Sequence, residues 1–167
     1  MKLPNRITAF LRDRLLRVAD RRPPDWIIGA ETPVPYMRRW WIIPRNRFLN
    51  IYIHHFQRSD DTLELHDHPW ANMSVVLKGG YVEVMPMRGT DPKDRDWHYR
   101  ISRTAGDVVV RWASAPHRVE ALRWSHPGYG SDAWTLFITG PRVREWGFWT
   151  KTGWKHWRDF VGGCCEE

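Results

Sequence analysis

Two histidines, His66 and His68, stand one residue apart in the stretch 63–81, which reads LELHDHPWANMSVVLKGGY. Side chains alternate faces along a β-strand, so both imidazoles would point to one side and Asp67 to the other. Pro69 favours the extended backbone that His68 needs for this placement. Two imidazoles on one face can share a metal ion, and the pair therefore predicts part of a metal site.

A third ligand is needed, because a metal site of this kind uses at least three side chains, which adjacent strands can supply. His117 is the best candidate, since it follows a β-prone run that opens at Gly106 and ends in the small-residue turn ASAP. Three neutral imidazoles would leave the divalent charge of the metal uncancelled. Such a site suits Fe(II)-dependent oxygen chemistry and zinc-bound hydroxide chemistry, and the residues alone leave both open.

The elements that must position these histidines are short β-prone runs that follow one another after Pro35. They alternate with turn residues, among them Pro44, Gly106 and the pair Gly79 and Gly80. The runs read RRWWIIP, RFLNIYIHHF, NMSVVLKGGYVEVMPM, HYRIS, GDVVVRW, HRVEAL and AWTLFITG. Such a series predicts an antiparallel sandwich or barrel.

The two histidine segments together resemble the cupin superfamily. Cupins carry a first motif, G-x5-H-x-H-x(3 or 4)-E-x6-G, and a second, G-x5-P-x-G-x2-H-x3-N. Five positions match these spacings in this chain, namely His66, His68, Gly79, Gly106 and His117. The chain departs from the motifs at Asp60 for the leading Gly, Asn72 for the Glu ligand, Trp112 and Ser114 for Pro and Gly, and Ala121 for Asn.

The resemblance covers about residues 47–141 and is greatest to small single-domain cupins that carry HDHPW, a group that implies a fold and a metal site but no substrate. It implies an all-β, single-domain cupin-like antiparallel barrel, a double-stranded β-helix or jelly roll, preceded by an N-terminal amphipathic helix. Cupins often dimerise, so a homodimer is a mild expectation. Domain bounds are expected at 1–35 for a basic helix and Pro-containing arm, 36–160 for the barrel and 161–167 for a tail.

The expected site holds one divalent metal ion on His66, His68 and His117, with Fe(II) favoured and Zn, Mn or Ni as alternatives. His54 and Asn72 are candidates for a supporting contact or a fourth ligand. The residues proposed to line a substrate pocket are Trp70, Arg111 and Tyr52; an inward arginine would favour an anionic substrate. Ordinary structural roles are expected for His98, His126 and His156.

Composition sets the outer limits of this interpretation. The chain has 167 residues, 42% of them hydrophobic and 14% aromatic, which predicts one folded domain rather than disorder. It has no apolar run long enough to span a bilayer and no secretory signal at its start, so a soluble, cytoplasmic protein is expected. Its two cysteines, Cys164 and Cys165, are adjacent near the end of the chain and form no disulfide framework.

The net charge of +7 belongs to the first 47 residues, where 11 basic and 4 acidic side chains leave an excess of seven. This segment predicts a helix over about residues 5–19, ended by Pro23 and Pro24. Its apolar face would comprise Ile7, Phe10, Leu11, Leu15 and Val18. Packing of that face on the body is favoured over contact with nucleic acid or an anionic membrane.

Residues 140–160 are rich in tryptophan and are interrupted by Gly147 and Gly153; they read GPRVREWGFWTKTGWKHWRDF. It predicts a strand plus a hairpin or loop that covers the barrel or packs on the N-terminal helix.

Three classes of function remain. The leading one is a small metal-dependent enzyme, dioxygenase-like, acting on a small polar or anionic molecule. The second is a non-catalytic, metal-containing ligand-binding or regulatory cupin. The third is a nucleic-acid or protein interaction module that uses the basic N-terminal arm.

Overall fold

The computed structural model describes residues 1–121 and 132–160, so His126, Cys164, Cys165 and the expected tail lie outside the described residues. Within these residues the elements are one α-helix and eleven strands, with a short 3-10 turn at Arg95–Trp97. They are α1 (Asn5–Arg21), β1 (Trp26–Ile28), β2 (Met37–Trp41), β3 (Asn50–Phe56), β4 (Leu65–His66), β5 (Asn72–Pro86), β6 (His98–Thr104), β7 (Val108–Arg111), β8 (Arg118–Ala121), β9 (Ala133–Thr139), β10 (Gly147–Thr150) and β11 (Gly153–His156).

The strands form two antiparallel sheets. The larger runs in the order β1-β2-β3-β9-β5-β6, with β7 and β8 also paired to β5, and the smaller runs β11-β10-β4. All seven β-prone runs of the sequence became strands of the larger sheet. The prediction of an all-β antiparallel fold with an N-terminal helix is confirmed. β1 lies in the segment expected to be an arm, yet it pairs with β2.

Strand β5 is the long element that joins the two halves of the larger sheet. Its first half pairs with β7 and β9 and its second half with β6 and β8. A register shift between Val76 and Lys78 marks a β-bulge, and Gly79 follows it with φ of +68°. A side chain at Gly79 would lie 2.0 Å from the carbonyl oxygen of Asp132. The expected turn at Gly79 and Gly80 is therefore wrong, because the glycine permits a bulge and a close approach within a continuous strand.

Helix α1 packs on the larger sheet through a narrow face. Leu11 and Leu15 contact a cluster that contains Val75, Leu77 and Val108. Two members of the predicted apolar face, Ile7 and Phe10, instead remain 48% and 59% exposed. The predicted apolar face is therefore packed on the sheet only in part, through Leu11 and Leu15. No helix among residues 1–121 and 132–160 is long and apolar enough to cross a membrane.

The tryptophan-rich segment near residue 150 forms the hairpin β10–β11, in partial agreement with its prediction. β10 pairs with β4, with Phe148 opposite His66 and Trp149 opposite Leu65. The hairpin therefore lies beside the histidine pair and forms one side of the site described next.

Candidate metal centre

The backbone places the three histidines of the predicted site next to one another. His66 ends β4, and its N–H and C=O exchange two hydrogen bonds with His117, each of 2.9 Å. The N–H of His68 donates to the carbonyl of Ala113 at 3.0 Å, which anchors the pair to the same turn. The two histidine segments, far apart in the chain, are thus held together as neighbouring antiparallel segments.

The alternation expected at the histidine pair is confirmed. The rings of His66 and His68 lie on one side with centroids 5.2 Å apart, whereas Asp67 is fully buried on the other. The Asp67 carboxylate accepts from the N–H of Gly147 at 2.8 Å and from the indole N–H of Trp154 at 3.0 Å. Asp67 therefore fixes the β10–β11 hairpin against the segment that carries the two histidines.

The three rings form a nearly equilateral triangle. Centroid separations are 4.9 Å for His66 and His117 and 5.2 Å for His68 and His117. One ligand atom from each ring lies within 4.8 Å of the others. The Nε2 atoms of His68 and His117 are 2.9 Å apart, a separation at which two nitrogens share either a proton or a metal ion. Two ligands bound at right angles at about 2.1 Å would be about 3.0 Å apart, so the geometry fits a shared ion.

The opposite ring nitrogens of two of these histidines face carboxylates. Nδ1 of His66 lies 3.6 Å from Asp60, and Nδ1 of His117 lies 3.2 Å from Glu83. Both are close contacts rather than hydrogen bonds, and Nδ1 of His117 is buried without a hydrogen-bond partner among the described residues. A carboxylate behind a ligand histidine orients the ring and leaves Nε2 for a metal.

Glu83 is the main functional candidate that sequence reasoning missed. It lies on β5, is fully buried, and accepts from Nε of Arg103 at 2.7 Å and from Nε of Arg111 at 2.6 Å. Burial alone would raise the pKa of Glu83, but the contact with His117 and the two guanidinium charges hold that pKa well below its usual range. The signal in the sequence was a lone carboxylate in the apolar run YVEVM, at a position where alternation points it inward.

Burial and neighbouring charges favour the neutral form of two of the clustered histidines, His68 and His117. Burial, followed by the neighbouring His117 and His66, lowers the pKa of His68 well below its ordinary value. Burial and the positive charge of Arg111 lower the pKa of His117 to about 3, despite the opposing effect of Glu83. Protons therefore compete little with a metal ion for these nitrogens near neutral pH.

His54, predicted as a supporting contact or fourth ligand, is buried on β3 but is not part of the three-histidine cluster. Its Nε2 accepts a 2.9 Å hydrogen bond from Nε of Arg39, and its ring stacks 4.7 Å from Phe137. Tyr52 stacks on the other side of His54 at 5.8 Å. These residues form an aromatic layer, and Phe137 connects that layer to His68 at 6.4 Å.

Trp70 and Asn72 lie close to the cluster in different ways. Trp70 stacks on His68 with centroids 4.8 Å apart, so it forms a wall of the histidine cluster. Asn72 is buried, and its Oδ1 accepts from Arg111 at 3.4 Å. Asn72 thus contacts the arginine that pairs with Glu83; a role for it as a fourth ligand stays a prediction.

A cleft of about 420 Å³ opens beside His66. We call it the aromatic cleft, because four of its lining residues are Trp146, Phe148, Trp157 and Phe160. Tyr36, Asp60 and Asp61 are among its other lining residues. The predicted pocket residues Trp70, Arg111 and Tyr52 are not among the residues that line this cleft, and their place in a substrate pocket stays a prediction. Arg111 is buried, and its guanidinium pairs with Glu83.

The remaining described histidines lie apart from the cluster. Nε2 of His55 contacts Asp132 at 2.8 Å, Nε2 of His98 contacts the carbonyl of Pro92 at 2.8 Å, and Nε2 of His156 contacts Glu145 at 2.9 Å. Within residues 1–121 and 132–160, His66, His68 and His117 form the one group of three or more candidate ligands close enough to hold an ion.

Several solved structures are similar in fold to this chain. The DMSP lyase DddQ from Ruegeria pomeroyi DSS-3 is similar, with a TM-score of 0.52 and 16% identity over 86% of this chain and 68% of that one. A cupin superfamily protein from Desulfitobacterium hafniense DCB-2 has a TM-score of 0.44 and 12% identity, over 63% of this chain and 77% of that one. A double-stranded beta-helix protein from Klebsiella pneumoniae has a TM-score of 0.46 and 12% identity, over 76% of this chain and 88% of that one.

At these identities the likeness concerns the fold alone. No protein-family model matches the chain, and no curated protein matches it.

Proposed function

The chain has the cupin fold, and on that premise we propose that it is a metal-dependent enzyme, dioxygenase-like, that holds one divalent ion on His66, His68 and His117. The observation that carries the proposal is the convergence of three buried or half-buried imidazoles, two of which have a carboxylate close to their opposite ring nitrogen. A divalent ion bound there supplies Lewis acidity, and Fe(II) would in addition supply electrons for oxygen chemistry.

Side chains around the three histidines support their rings and form a site for a small molecule. Glu83 and Asp60 hold the rings of His117 and His66 from behind, and Trp70 stacks on His68 to restrict its rotation. The aromatic cleft beside His66 supplies a concave, largely apolar site for a small molecule. The substrate would therefore approach the ion from the side of His66.

Metal binding is tested first, on protein purified without an affinity tag. Isothermal titration with Fe(II) under anaerobic conditions, and with Zn(II), should show one site per chain. His66→Ala, His68→Ala and His117→Ala should each abolish or strongly weaken binding while the circular dichroism of the folded chain is retained. His98→Ala is the matched control, because His98 lies outside the cluster, and it should bind metal like the unaltered protein.

A second candidate function is a metal-assisted reaction without redox change. The observation that favours it is the pair Tyr36 and Asp60, two groups able to move protons, on the wall of the aromatic cleft. Burial and the Asp60 charge raise the pKa of Tyr36 well above its ordinary value, so its hydroxyl stays protonated.

Screening with Fe(II)-loaded protein separates the two candidates. Substrate-dependent oxygen consumption, measured with an oxygen electrode, supports the dioxygenase-like function. Turnover that proceeds equally in the absence of oxygen and with Zn(II) contradicts it and supports the second candidate.

A further inference from the structure

The aromatic cleft has a composition that favours one sign of ligand charge. We propose that it binds the positively charged group of a small molecule, an alkylated ammonium or a group of the same chemistry, next to His66. The binding of this group stands on the cleft itself; the orientation of the rest of the molecule toward a metal rests on the function proposed above.

The first observation is the group of aromatic rings. Trp146 and Trp157 lie nearly parallel with centroids 5.8 Å apart, and Phe148 and Phe160 stack at 4.0 Å. The faces of such rings are electron-rich and attract cations, especially alkylated ammonium groups that lose little hydration on binding. One of these rings already does so, since the guanidinium of Arg158 lies 5.1 Å from the centre of Trp157.

The second observation is the pair of carboxylates on the wall of the cleft. Asp60 is held in place by the N–H of Val119, which donates to its carboxylate at 2.7 Å. Asp61 pairs with Arg58, which is not among the lining residues, and its side chain is 58% exposed. Among the described residues that line the cleft there is no lysine or arginine. The charged groups among the described lining residues are thus the two carboxylates, and the nearest cations, Arg58 and Arg158, contact the lining residues Asp61 and Trp157 from outside that set.

The third observation is the position of His66 in the same lining. A divalent ion on three neutral histidines keeps its full positive charge, so it attracts an oxygen donor such as a carboxylate or hydroxyl. The carboxylate and aromatic wall attracts a cation. A ligand that satisfies both ends carries a cationic group and an oxygen donor a few bonds apart.

Choline and its uncharged isostere, 3,3-dimethyl-1-butanol, test the role of the charge because they share shape and hydroxyl group. Binding to the full chain is followed by isothermal titration and by the fluorescence of the tryptophans. We expect choline to bind roughly tenfold more tightly than the isostere. Equal affinities, or no binding of choline, would overturn the proposal, because the cleft would then be merely apolar or not a ligand site.

Single substitutions test whether choline binds in the aromatic cleft. Trp157→Leu removes a ring, and Asp61→Asn removes a wall charge while keeping its size; each should weaken choline binding by about threefold or more. Asp91→Asn makes the same chemical change at an exposed aspartate whose described partner is Lys93, and it should leave choline binding unchanged. Weakening by Asp91→Asn equal to that by Asp61→Asn would overturn the proposal, since it would show a general charge effect.

The same titrations distinguish this proposal from the metal-dependent function. Choline is titrated into metal-free protein and into protein loaded with Zn(II), and metal binding is measured separately. Choline binding without any metal binding supports the cationic cleft and contradicts the metal function. Metal binding without choline binding contradicts the cationic cleft and leaves the metal function supported.

Discussion

The substitution Glu83→Gln removes one negative charge from the support behind His117 and alters the volume of the side chain little. Glu83 is fully buried and is the shared partner of Arg103, Arg111 and His117. Glutamine retains one carbonyl oxygen but cannot neutralise either guanidinium. Its amide also presents N–H donors toward side chains that are themselves donors.

The structure sets the size of the effect. The side chain of Arg111 is only 5% exposed and that of Arg103 only 16%, so water cannot replace the lost charge. Breaking a buried ion pair by removing one partner costs about 3–5 kcal/mol of the free energy of unfolding. Loss of the carboxylate behind a ligand histidine should also weaken metal binding by about 10- to 100-fold.

Two assays measure these effects separately. Urea unfolding with a chelator present gives the free energy of unfolding of the metal-free chain, and titration with Zn(II) of the folded variant gives the metal affinity. Glu120→Gln is the matched control for metal affinity, because Glu120 pairs with Arg100 and Arg118 and lies outside the three-histidine cluster. It should leave the Zn(II) affinity unchanged.

The double variant Glu83→Gln with Arg111→Met examines the cause directly. If an unpaired buried cation is what destabilises Glu83→Gln, removing the Arg111 charge as well should restore part of the stability. A Glu83→Gln protein as stable as the unaltered chain, or one that binds Zn(II) with undiminished affinity, would refute the role assigned to Glu83.

Two further outcomes follow from other buried groups. Asp67→Asn should lower the free energy of unfolding by about 1–3 kcal/mol in urea titrations, because an amide has one oxygen and cannot replace both carboxylate oxygens that accept hydrogen bonds from Gly147 and Trp154. An unchanged urea midpoint of unfolding would contradict the role of Asp67 as the anchor of the hairpin. Burial and the nearby charge of Arg39 lower the pKa of His54 well below its usual value. As the pH falls below about 6.5, the imidazole therefore takes up a proton in the unfolded chain but not in the folded chain, and the folded chain loses stability. Between pH 7.5 and 5.5, measured with a chelator present, His54→Gln should therefore lose about 1 kcal/mol less stability than the unaltered chain, and identical slopes would contradict this assignment.

Local sequence patterns predicted much of this structure. Period-two alternation was sufficient to place His66 and His68 on one face and Asp67 on the other, because that relation depends only on neighbouring residues. The β-prone runs and their turn residues predicted seven strands and the antiparallel class. The motif spacing identified His117 as the third member of the cluster before any contact was known.

Local pattern failed where one residue type serves two purposes. Gly79 and Gly80 have the composition of a turn, but β5 continues through them because Gly79 accommodates a bulge against Asp132. Ile7 and Phe10 have the helical spacing of a packed face, but they remain exposed while Leu11 and Leu15 pack on the sheet. In both cases the outcome depends on how a segment meets residues distant in sequence.

The sequence by itself determined seven of the strands, their antiparallel class and the three histidines, because these depend on alternation and spacing along one chain. Only the tertiary structure showed that Glu83 lies behind His117 and that the charge of Arg111 is paired with Glu83. It also showed that the β10–β11 hairpin pairs with β4 beside the aromatic cleft. Those relations join segments tens of residues apart, and they depend on sheet register, the bulge in β5 and the pairing of buried charges. Such long-range contacts leave no periodic signal in the sequence, so the chemistry around the histidines became visible only in the folded chain.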